Sequence, residues 1–171
     1  IRFRRNSSIA VQRNPAGTRV RRALARHLLL FHTGIARTAP LLARTQVRRL
    51  QRNRPLLHDI AALVDEAVAL LHRPDAPAGF GELLHAGWQL KRALAPGVAP
   101  PFIDDIYAAG RAAGATGGKL LGAGGGGFVL FFAPPARHAR IRAQLKRLRC
   151  VPVGFSDTGS RVIYDSRADK T

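Results

Sequence analysis

Between two runs that read as strands, Lys119-Leu120-Leu121 and Phe128-Val129-Leu130-Phe131-Phe132-Ala133, the chain places Gly122-Ala123-Gly124-Gly125-Gly126-Gly127. Six residues with one β-carbon among them do not continue a strand or a helix, so the run reads as a loop between two strands, open to close approach. The letters Gly122-x-Gly124-x-x-Gly127 match the dinucleotide-binding fingerprint, but that turn must open a helix, and Phe128–Phe132 has no helical polar face. A Walker A loop would need Gly where Ala113 stands and Ser or Thr where Leu120 stands. What remains is a loop whose consecutive N–H groups, uncovered by side chains, suit phosphates or another backbone. A flexible hairpin turn is the plainer alternative, at a large cost in conformational entropy. Lys119, three residues before the loop, either adds a point charge to it or exits to solvent.

The rest of the chain supplies partners for those strands. Ile1–Arg4 and Ile9–Gln12 alternate around Asn6-Ser7-Ser8 and predict a short hairpin; Asn14-Pro15-Ala16-Gly17 predicts a turn. His27–His32 has the length and apolarity of a buried strand, ended by Thr33-Gly34. Leu41, Leu42, Val47 and Leu50 fit a helix with Arg44, Arg48, Arg49 and Arg52 outside, punctuated by Pro55. Leu56 to Leu71 carries the clearest amphipathic helix, ended by Pro74 and Pro77. Another helix runs through Phe80, Trp88 and Leu94, and one starts at Pro101 and reaches about Ala113. After the glycine loop come a helix with Ile141, Leu145 and Leu148 inside, and two strand candidates, Val151–Val153 and Arg161–Tyr164, around an Asp157-Thr158-Gly159 turn. The order predicts an α+β fold, an antiparallel sheet packed with helices. His85 and Trp88, at three-residue spacing, read as a packed or solvent-edge pair on one helical face, not a catalytic one; Asp104 and Asp105 point apart and make no catalytic dyad.

With 171 residues, 46% of them apolar, the chain has material for one core. Its charge of +18 is lopsided: residues 1–54 hold 14 arginines and no Asp or Glu, against 14 basic and 10 acidic groups in the rest. Clustered cations can mark a nucleic-acid footprint. Here the excess of Arg over Lys, with Ala, Gly and Pro abundant, favours compositional drift, and only Phe3 and Phe31 offer stacking platforms in the basic stretch. Nucleic acid is therefore not the expected partner. The single Cys150 excludes an internal disulfide and a CxxC metal site, and the thiol is expected to face the core. No apolar run is long enough to span a bilayer, and the expected location is the cytoplasm. The chain has no methionine and begins Ile1-Arg2-Phe3, which leads us to expect a piece of a longer protein.

Four ordered segments carry a resemblance: Leu28–Arg37, Phe80-Gly81-Glu82-Leu83-Leu84-His85, Trp88-Gln89-Leu90-Lys91 and Gly117–Phe128. Together with the closing Gly159–Asp165 they resemble the C-terminal half of GHMP-family sugar kinases, most closely the D-glycero-D-manno-heptose 7-phosphate kinases. The resemblance implies a ferredoxin-like C-terminal domain over residues 27–171, with residues 1–26 as strands or a linker left from an N-terminal lobe. It also implies transfer of the γ-phosphoryl group of ATP, with Mg²⁺, to a sugar hydroxyl. In the heptose group that hydroxyl is the anomeric one of the 7-phosphate.

By the same resemblance the glycine run is the family's third motif, so Gly122, Ala123, Gly124, Gly125, Gly126 and Gly127 would lie beside the ATP phosphates and the acceptor. Thr33, Gly34, Arg37 and Lys119 would stand near the substrate. Arg37 either pairs with a sugar phosphate or is one more surface arginine. His32 occupies a position where these relatives usually carry tyrosine. The family's main phosphate loop and catalytic acid belong to the N-terminal lobe, and nothing before Leu24 resembles them. The chain alone is therefore expected to hold no catalytic residue or metal site and to be inactive, its partners being ATP, a sugar or sugar phosphate, and the missing lobe. The alternative is a basic, non-catalytic binding module that kept the fold. Replacing Gly125 by Val is expected to impair turnover in the intact enzyme while leaving it folded.

Overall fold

A hairpin opens the chain, β1 (Arg2–Phe3) paired antiparallel with β2 (Ile9–Ala10). The computed structural model describes residues 1–12, 16–35, 39–156, 159–160 and 162–164. Then follow α1 (Thr18–Arg26), β3 (Leu28–His32), α2 (Ala39–Arg48), α3 (Arg54–Leu71), α4 (Ala76–Ala93) and α5 (Pro101–Ala112). The chain closes with β4 (Gly117–Leu120), β5 (Phe128–Phe132), α6 (His138–Gln144) and β6 (Arg149–Val151). The main sheet has the order β4-β5-β3-β6 with every neighbouring pair antiparallel. Counted from β3, the succession is strand, helices, two strands, helix, strand, with β3 and β5 in the middle. That is the ferredoxin-like arrangement, an α+β fold as the sequence order predicts.

Alternation decides which side of the sheet is buried. Leu29 and Phe31 of β3 stand opposite Phe131 and Val129 of β5, and Leu120 of β4 joins the same face. These side chains meet Trp88, Ile103, Tyr107 and Ile141 in one core, with Trp88, Phe31 and Phe131 the largest fully buried residues. Two glycines let α4 lie against the edge strand: a Cβ on Gly117 would sit 1.7 Å from the Gly81 carbonyl oxygen. The His85 ring stacks on Tyr107 and the Trp88 ring tilts against it, with Trp88 fully buried. Asp104 pairs with Arg92 while Asp105 is exposed, so the two carboxylates diverge as expected. Cys150 is half-buried against the edge of the core.

Several elements differ from the sequence reading. Pro55 and Pro77, expected to stop helices, sit in the first turns of α3 and α4, where a missing N–H costs nothing. Helix α1 was not anticipated, because four of its nine residues are arginines and only Val20 and Leu24 are large and apolar; it packs against α4 and buries Leu24. The strand expected at Val151–Val153 lies at Arg149–Val151, ended where Pro152 removes a donor. Residues 162–164 form no strand, and Val162, Ile163 and Tyr164 are exposed. Asn14 and Pro15 of the first expected turn, Asp157 and Thr158 of the last, and Arg161 lie outside the described residues. No helix among the described residues is long and apolar enough to cross a membrane.

Candidate functional site

The glycine loop is pinned on every side. At its exit, the Thr33 main-chain N–H donates to the Gly127 carbonyl at 2.8 Å, and the Thr33 hydroxyl donates to the same oxygen at 2.9 Å. The Gly127 N–H reaches Thr33 Oγ1 at 3.0 Å and the Ile35 carbonyl at 3.1 Å. In the middle, the Gly125 N–H donates to the Val98 carbonyl at 3.0 Å, so the loop is tied to the turn between α4 and α5. At its entrance, Gln46 of α2 donates to the Ala123 carbonyl at 2.9 Å, and the Lys91 ammonium of α4 donates to the carbonyls of Leu120 and Gly122.

This tethering explains the composition. Gly124 has φ +118, and a Cβ there would stand 2.7 Å from Val98 Cα; Gly125 has φ +77, with Leu42 Cδ1 at 2.9 Å. Left-handed main chain and close contact both exclude side chains, whereas Ala123 has neither constraint. The loop is thus a shaped, packed element, which removes the flexible-hairpin alternative. The N–H groups of Gly125 and Gly127 are spent on Val98, Ile35 and Thr33, so the loop does not present a full row of amides. Gly126 is buried, and among the described residues its amide has no hydrogen-bond acceptor.

Of the residues singled out in sequence, Thr33 and Gly34 are brought to the loop, Gly34 with φ +75 turning the chain away from β3. His32 packs its ring against Phe128 at 4.9 Å between centroids, at the loop's exit. Lys119 lines an apolar groove of about 560 Å³ between α3 and α4, together with Leu63, Leu84, Leu94 and the loop-holding Lys91. Arg37 lies outside the described residues. Gln46, Lys91 and Val98 hold the loop and were missed as site residues. The only signal for Lys91 was its place in the Trp88–Lys91 segment, and nothing marked the other two.

Part of the positive charge is now located. Leu42 and Gln46, four residues apart on α2, face the loop, so Arg44 and Arg48 lie exposed on the opposite side of the same helix, directed away from it. Among the described residues, no group of three or more His, Cys, Asp or Glu is arranged to hold a metal.

Residues 67–149 match the family model described as GHMP kinases C terminal. The chain is 32% identical over 129 residues to the bifunctional fucokinase/GDP-fucose pyrophosphorylase of Arabidopsis thaliana, covering 72% of this chain and 12% of that protein. It is 33% identical over 103 residues to a mevalonate kinase of Pyrococcus horikoshii, covering 58% of this chain and 30% of that one. Its fold is similar to the crystal structure of L. major mevalonate kinase in complex with R-mevalonate, with a TM-score of 0.61 and 24% identity over 70% of this chain and 37% of the other. The chain thus spans less than a third of the length of either curated relative.

Proposed function

Because the fold and the matched segment are those of the C-terminal domain of GHMP-family kinases, we propose that this chain is the C-terminal lobe of an ATP-dependent sugar kinase. The acceptor in this reading is the anomeric hydroxyl of D-glycero-D-manno-heptose 7-phosphate, and the enzyme acts in the cytoplasm. Residues 1–26 belong with the lobe that precedes them. In support, the β1–β2 hairpin leaves Ile1, Phe3 and Val11 more than three-quarters exposed, as strands of a larger sheet would be. Helix α1, docked on α4, is then the connection between lobes.

The observation that carries the reading is the tethered glycine loop. Phosphoryl transfer needs positioning and charge neutralisation more than covalent chemistry from the protein. A loop bare of side chains and locked by Thr33, Val98, Gln46 and Lys91 gives a fixed surface that phosphate oxygens approach closely. Gly122 to Gly127 therefore flank the ATP phosphates, with Thr33 and Gly34 shaping the acceptor side. Arg37 is assigned to the substrate phosphate by its place after Gly34. Among the described residues no group of three or more His, Cys, Asp or Glu is gathered, and the reading assigns the cation and the catalytic acid to the other lobe, with no step derived through them.

The test is a phosphorylation screen with ATP across sugars and sugar phosphates, run on the full-length polypeptide and on this chain alone. The expected result is turnover of the heptose 7-phosphate by the former and none by the latter. Turnover by the isolated chain would refute the lobe assignment. A full-length protein inert toward every sugar would favour the basic binding module instead.

A further inference from the structure

At the end of β3 remote from the glycine loop, a second cavity of about 450 Å³ opens between α1, α6 and β6. Its wall includes Arg26 from the last turn of α1, His138 and Arg142 from α6, Leu28 from β3, and Cys150 and Val151 from β6. Among the described residues no Asp or Glu lines it. Among the described residues neither Arg26 nor Arg142 has a carboxylate partner, and both are exposed. The His138 ring is anchored, its Nε2 3.1 Å from the Ala133 carbonyl oxygen. Two arginines carried by different helices therefore line one concavity whose wall is partly apolar.

Such a fork pair matches the oxygens of a phosphate, and the volume lies within the range of small-molecule sites. We propose that this cavity is a second ligand site, taking a small molecule that bears a phosphate or diphosphate group. Arg26 and Arg142 hold the oxyanion, and Leu28 and Val151 lie under the apolar part. β3 is five residues long, which puts its two ends about 13 Å apart. Arg26 and Leu28 stand at the end of β3 away from the loop, so in the kinase reading an oxyanion held there is not the group transferred at the loop, and the site is one for an effector. The effector role rests on that reading; the binding of a phosphate-bearing ligand does not.

Cys150 is the only cysteine and forms part of the cavity wall, so its labelling reports occupancy. The chain is treated with dithiobis(nitrobenzoate), a dianion, and in parallel with neutral dithiodipyridine. In each reaction the thiolate attacks one sulfur, forms a mixed disulfide and expels an aromatic thiolate. The expected result is that pyrophosphate slows labelling of the wild type saturably at constant ionic strength. In the Arg26→Gln/Arg142→Gln double variant the dianion's rate advantage over the neutral reagent should drop about tenfold, and protection by pyrophosphate should vanish. Absence of protection by both pyrophosphate and inorganic phosphate, or equal protection of wild type and double variant, would overturn the proposal. Should the double variant fail its circular-dichroism check for folding, the wild-type competition against matched chloride decides alone.

Discussion

Tyr107 shows what burial does to a single group here. Its ring lies between His85, Trp88 and Phe131, and its hydroxyl is 2.8 Å from His85 Nδ1. Desolvation pushes the phenol from 10.0 up to about 12, with Glu82 adding to the rise and the positive charges of Arg111 and Arg92 opposing it. Below pH 10 the phenol is protonated in both folded and unfolded chains, so it contributes no pH dependence. Between pH 10 and 12 the unfolded chain loses that proton and the folded one keeps it, so stability falls as pH rises, by up to about 2 to 3 kcal/mol. Tyr107→Phe should cost about 1 kcal/mol at pH 8 through the lost hydrogen bond and flatten the alkaline decline. Urea unfolding of both proteins at pH 8 and pH 11 measures this, and equal losses in the two would contradict it.

At the scale of elements, the glycine loop behaves as part of the packing. Gly124→Ala forces a β-carbon onto Val98 main chain in a left-handed conformation and should cost about 2 to 3 kcal/mol, a fall of roughly 5 to 10 °C in Tm. Gly125→Val meets the end of the Leu42 side chain, which can yield, but its φ strain remains, so it too should melt earlier; the expectation of an intact fold with only turnover impaired is revised. Ala123→Gly should change Tm little. Scanning calorimetry of the three variants checks the order, and a Gly124→Ala protein as stable as the wild type would refute it. The strands and the loop between them were legible because Phe128–Phe132 and the glycines leave few local alternatives. The tethers were not, since Gln46, Lys91 and Val98 reach the loop through tertiary contact that local pattern does not encode. Helix α1 escaped for the opposite reason: its propensity is good, but its apolar face is reduced to Val20 and Leu24.

Across the whole molecule, order is concentrated in the sheet and the helices packed on it, while the ends carry exposed apolar groups. Ile1, Phe3, Ile9 and Val11 stand on an isolated two-stranded hairpin, and such a unit is marginal in water by itself. Limited trypsin digestion should therefore cut first after Arg4 or Arg5, leaving β3 to β6 intact, as read by mass spectrometry of the early fragments. First cuts within α4 or α5 would show that the hairpin is better held than its exposure implies. The +18 charge is likewise divided, with part of it on the outer side of α2, part around the second cavity, and much of the rest on exposed helix surface.

The position of β3 in the centre of the sheet has a consequence for synthesis. Its partners are β5, at Phe128–Phe132, and β6, at Arg149–Val151, so about a hundred residues separate it from the first strand it pairs with. At the usual ribosomal pace of about 5 to 20 residues per second, Leu28-Leu29-Leu30-Phe31 waits roughly 5 to 20 s in the nascent chain without its neighbours. An apolar, uncharged stretch of this kind is prone to associate with its own copies during that interval. The dense arginines on both sides, from Arg19 to Arg26 and from Arg37 onward, then act as gatekeepers, keeping nascent chains apart by mutual repulsion until the β4–β5 hairpin arrives to receive the strand.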